Sequence, residues 1–65
     1  MFKQFDLVRL KEPDHETGVK TEYTGTIVDV LSAEAMTVEF TDEHGDTVEP
    51  ALFKTYSTEQ LVKAD

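Results

Sequence analysis

The chain has 65 residues, no Cys, 38% hydrophobic residues and a formal net charge of -8. Such a length gives one small domain, residues 1–65, that buries only about 60% of the surface its unfolded chain exposes, with no disulfide or thiolate-bound metal to hold it together. A substrate cleft would compete with the core for the same few apolar residues, so size and composition favour a binding module over an enzyme.

The apolar residues recur mostly at a period of two, the signature of strands. Phe5 to Glu12 reads as a first strand, with Val8 and Leu10 on one face and Leu7 and Arg9 on the other. A polar loop follows, in which Pro13 cannot donate to a ladder and Gly18 is free to take positive φ. Thr26 to Leu31 is rich in β-branched residues and forms the second expected strand. Val28 and Val30 would share one of its faces, and Ile27, Asp29 and Leu31 the other; Gly25 before it suits a bulge. Met36, Val38 and Phe40 alternate with Thr37, Glu39 and Thr41 as a third strand, the clearest alternation in the chain. Asp46 to Ala51 is expected to return as a fourth, with Pro50 marking a frayed or edge position. Ser57-Thr58-Glu59-Gln60 has the form of a capping box. With so few residues after it, one short 3₁₀ or helical turn is expected, and Leu61-Val62-Lys63 closes the structure as a fifth strand. The expected fold is all-β: a small SH3-like five-stranded barrel with one short turn of helix before its last strand.

The third and fourth strands can be read for register. If Phe40 faces Val48, both point into the core. Thr41 then faces Thr47, Asp42 faces Asp46, and Glu43-His44-Gly45 is a three-residue loop with Gly at its left-handed position. The same register sets Glu39 opposite Glu49, a repulsive pair costing a few tenths of a kcal/mol to about 1 kcal/mol. Two explanations stand for it: an outer face meant to meet cations, or solvent screening and a nearby Lys that make the pair harmless.

Charge is distributed unevenly. Lys3, Arg9 and Lys11 outweigh Asp6 at the start, whereas Glu22, Asp29, Glu34, Glu39, Asp42, Glu43, Asp46 and Glu49 fall between Lys20 and Lys54 with no base among them. Phosphate backbones and anionic membranes reject such a surface. Direct nucleic-acid and membrane binding are therefore not expected, and a basic protein partner is. The bland reading of the same acidity is solubility alone. No apolar run approaches a signal-peptide core or a membrane span of roughly 20 residues, so a cytoplasmic location is expected.

Catalysis and metal binding find little support. Asp42-x-His44-x-Asp46 begins like an EF-hand loop, but Thr47 stands where that loop needs Gly and Phe53 where it needs a bidentate Glu. His15 and His44 lack the spacing and companions of a zinc site. The carboxylates of a hairpin tip lack the burial and pocket that acid–base work requires. No catalytic residue, metal ligand or cofactor is expected. The candidate contacts are Glu39, Asp42, Glu43, Asp46 and Glu49, with Tyr23 and Tyr56 as exposed aromatics that an SH3-like barrel would bring together as a peptide groove. The alternative is that each tyrosine covers one end of the barrel and hydrogen-bonds through its hydroxyl. Phe2, Phe5 and Phe53 fit core, staple or contact roles, and Ala51 to Tyr56 is a second candidate contact patch.

FDLVRLKE, GVK with TGTIVDV, VEFTDEHGDT and STEQL, in that order, resemble the small bacterial proteins of domain of unknown function 4926 over most of the chain. Glu22-Tyr23-Thr24 stands where that family usually has Gly-Asp, and Phe53 to Tyr56 is longer than usual. The resemblance implies an SH3-like fold and a non-catalytic, partner-binding role as the inhibitory or antitoxin-like half of a two-gene pair. Three functions are thus carried forward. The first is an acidic module for a basic protein. The second is a nucleic-acid mimic that blocks a DNA-binding protein or nuclease, and the third is a metal-binding or catalytic domain. An edge strand also offers a route to a homo-oligomer.

Overall fold

In the computed structural model, which describes residues 1–64, five antiparallel strands form one sheet: β1 (Leu7–Leu10), β2 (Thr24–Ser32), β3 (Ala35–Thr41), β4 (Thr55–Ser57) and β5 (Leu61–Lys63). Their spatial order is β4-β3-β2-β1-β5. A helical turn, α1 (Glu49–Leu52), precedes β4, and a 3₁₀ turn at Thr58–Gln60 separates β4 from β5. The sheet is not a closed barrel: its edges, β4 and β5, are not bonded to each other. The chain passes between them through the 3₁₀ turn, whose backbone bonds to loops instead, Thr58 N–H to the Glu34 carbonyl and Lys11 N–H to the Gln60 carbonyl. Among the described residues no helix is long and apolar enough to cross a membrane.

Period-two patterning places the core. Val8 and Leu10 of β1, Ile27 of β2, Met36, Val38 and Phe40 of β3, Tyr56 of β4 and Leu61 of β5 are buried on the inner face, with Val19, Tyr23 and Ala51 from the connections. Tyr56 packs edge-on against Phe40, ring centroids 5.3 Å apart, the geometry aromatic quadrupoles prefer. Phe2 packs on this core, with the Lys63 ammonium 5.8 Å from its ring centroid.

Several expected elements shift. The first strand begins at Leu7 rather than Phe5, because residues 3–6 form a turn closed by Asp6 N–H to the Lys3 carbonyl, 3.1 Å. The bulges of β2 fall at Val28 and Leu31, not at Gly25. The first of them moves Val30 opposite Met36, so Val30 joins the face of Ile27 rather than that of Val28. Gly25 has a different role. A Cβ there would lie 2.6 Å from Cγ1 of Val38 and 2.7 Å from the Phe40 ring, so only glycine lets these side chains lie flush against β2.

The largest correction concerns Asp46 to Ala51, which is not a strand. Thr41 bridges Thr47, flanked by Asp42 N–H to the Asp46 carbonyl at 2.9 Å and Val48 N–H to the Phe40 carbonyl at 2.8 Å. The ladder then stops and α1 begins. Pro50 sits in the first turn of α1, where its missing N–H costs nothing and its fixed φ suits a helix, and Ala51 is buried. The strand that pairs with β3 on this side is β4, through Ala35–Ser57, Met36–Tyr56 and Thr37–Thr55. The expected Glu39–Glu49 pair therefore never forms across a ladder; Glu39 accepts a hydrogen bond from the Thr47 hydroxyl at 2.9 Å instead.

Candidate interaction surface

The hairpin tip follows from three residue types. Gly45 takes φ 83, the left-handed position that closes the three-residue loop and that glycine adopts without a Cβ clash. Asp42 ties the loop from its own side chain: Oδ1 accepts from His44 N–H at 2.9 Å and from Asp46 N–H at 3.0 Å. These donors, led by Asp46 N–H, hold the Asp42 carboxyl below its ordinary pKa. The five acids thus divide. Asp42 and Glu39 are engaged in building the hairpin, while Glu43, Asp46 and Glu49 are exposed. Among the described residues, none of these three pairs with Lys or Arg; the His44 imidazole lies 4.0 Å from the Glu43 carboxylate.

Tyr23 belongs to this surface, though it is largely buried rather than exposed. With Glu22, Thr24, Thr41, Asp42 and Glu43 it lines an open cavity of about 240 Å³. Burial first, and then the Glu43 carboxylate beside it, push its hydroxyl above the usual tyrosine pKa.

Tyr56 is elsewhere. It is fully buried, not an exposed anchor, and forms no groove with Tyr23. Its hydroxyl donates to Asp14 Oδ2 at 2.8 Å and meets the Thr17 hydroxyl at 3.2 Å. Lys54 Nζ donates to the same Asp14 oxygen at 2.8 Å and to Glu16 at 2.7 Å, 5.6 Å from the Tyr56 ring centroid. Burial opposes the Asp14 charge, but the Lys54 ammonium, the Tyr56 and Thr17 hydroxyls and the Glu16 N–H overcome it and hold the carboxyl down at about 2. Hydrogen bonds to Asp14 and Glu16 raise the Lys54 pKa in turn. This cluster fastens the loop after β1 onto β4. The hydroxyl bond is the alternative that the sequence offered for this tyrosine, but its partners were not legible, because Asp14 and Tyr56 are 42 residues apart and an aspartate two residues from a glutamate in a polar loop gives no sign of such a contact. A second open cavity, of about 450 Å³, lies beside the cluster between residues 11–16 and Glu59–Gln60. Among the described residues no three His, Asp or Glu side chains converge as metal ligands would.

Residues 4–62 match the family described as Domain of unknown function (DUF4926). The chain belongs to this family. No curated protein and no solved structure shows significant similarity to it. In this DUF4926 member, Glu22-Tyr23-Thr24 is accommodated by a turn closed by Tyr23 N–H to the Lys20 carbonyl at 3.1 Å. The turn that ends α1 leaves Phe53 almost wholly in solvent.

Proposed function

We propose that the protein is a non-catalytic, cytoplasmic interaction module of the SH3-like type whose acidic hairpin face docks a basic protein partner, in an inhibitor- or antitoxin-like role. The strand order, with a 3₁₀ turn between β4 and β5, supports the SH3-like assignment. One observation carries the docking reading: Glu43 and Asp46, on a hairpin whose backbone is fixed by Asp42 and the Thr41–Thr47 bridge, and Glu49, at the start of α1 just after it, stay exposed and free of Lys and Arg among the described residues. A tied backbone presents its carboxylates to a cationic partner at a lower ordering cost than a mobile loop would. Tyr23, beside Glu43, adds an aromatic wall to the same face.

Affinity capture with the tagged protein tests this. One stoichiometric basic protein is expected, its binding weakening with salt and lost on Glu43→Lys with Glu49→Lys. Capture unaffected by that double reversal would remove the proposal. Competition with DNA tells whether the partner's bound surface is one that otherwise holds nucleic acid.

A further inference from the structure

The turn leading into β1 holds a residue that its backbone does not favour. Phe5 is the third residue of the turn closed by Asp6 N–H and the Lys3 carbonyl, and its φ is 75. Turns with positive φ at this position use glycine, because a Cβ there crowds the following carbonyl. Burial of the ring does not offset the strain, since Phe5 is 71% exposed. Strain retained at an exposed aromatic points to a use outside folding.

Its surroundings indicate which use. Leu7 and Arg9 alternate on the outer face of β1, and Arg9 pairs with Val62 of β5. Leu7 is 47% and Val62 41% exposed, so an apolar strip continues from Phe5. Lys3, Arg9 and Lys11 stand exposed around it. Among the described residues none of the three makes a side-chain ion pair, although the chain has 14 acids for 6 bases. On the β3 side the chemistry is reversed: exposed Glu43, Asp46 and Glu49 accompany Phe53, 90% exposed and one helical turn beyond Glu49.

We infer that the Phe5–Leu7–Val62 face docks the acidic hairpin and Phe53 of a second copy of this chain, its cations meeting the carboxylates and its apolar strip receiving the Phe53 ring. The contact is head-to-tail, since the two surfaces differ. It uses the acidic hairpin of the function proposed above but a different occupant.

Sedimentation equilibrium over a wide concentration range is the test. The weight-average mass of the native chain should rise with concentration. Phe5→Gly and Phe53→Ala, each at an exposed position, should self-associate at least roughly tenfold more weakly. Mixed in equal amounts, the two variants should form a heterodimer, because each supplies the face that the other lacks. A native chain that stays monomeric would overturn the inference. So would Phe5→Gly associating as well as the native chain, or variants that stay apart when mixed. A native chain that stays monomeric while still capturing a basic partner overturns this inference alone; capture indifferent to reversing Glu43 and Glu49 overturns the earlier proposal alone.

Discussion

Gly25 and Phe5 are opposite cases of residue choice. At Gly25 the side chains of Val38 and Phe40 occupy the space a methyl group would need, at 2.6 and 2.7 Å. Gly25→Ala should therefore destabilise the fold by about 1–3 kcal/mol, read from urea unfolding. At Phe5 the backbone is left-handed and the ring mostly exposed, so Phe5→Gly should raise stability by up to about 1 kcal/mol in the same measurement. Asp14 adds a pH dependence. Its folded pKa of about 2 lies below the ordinary 3.8. Its contribution to stability is therefore complete above the ordinary value and is lost as pH falls from there through about 2. Asp6 and Asp42 are shifted the same way. Asp14→Asn should make stability less steep across that acid range, followed by unfolding at successive pH values, while an unchanged slope would show that Asp14 is not held by Lys54 and Tyr56.

At the scale of elements, the Asp14 cluster joins the long loop to the sheet. Tyr56→Phe keeps the ring on Phe40 but removes the hydroxyl that bonds Asp14 and Thr17. A cost of about 1–2 kcal/mol is expected, with faster hydrogen exchange at Asp14 and Gly18, whose amides bond to Val19 and Asp14 within that loop. Some elements were legible in the sequence and others were not. Met36, Val38 and Phe40 announced β3 because one face of it is wholly buried. The hairpin register was readable because Phe40 and Val48 both favour the core side and Gly45 suits the left-handed position of the loop that this pairing leaves. The Pro50 signal was present but ambiguous: the same missing N–H suits a frayed strand and the first turn of a helix, and only the burial of Ala51 against the core decides between them. The bulges at Val28 and Leu31 were not legible, since each follows another apolar residue and the run reads equally as a strand with apolar side chains on both faces.

Across the whole molecule, the acidic excess could be read from sequence, but its division of labour could not. Asp42 and Glu39 look like their neighbours in the string of residues, and only backbone geometry shows that they hold the hairpin while Glu43, Asp46 and Glu49 face solvent. The two tyrosines were likewise indistinguishable until the sheet curled, placing Tyr56 in the core and Tyr23 beside Glu43. The most direct test of acid-driven docking is calorimetric titration of the captured partner at increasing salt, with the native chain and with a Glu43→Lys, Asp46→Lys, Glu49→Lys variant. Affinity should fall steeply with salt for the native chain and be lost in the variant at unchanged thermal stability. Equal affinity for both chains, or a native affinity indifferent to salt, would contradict it.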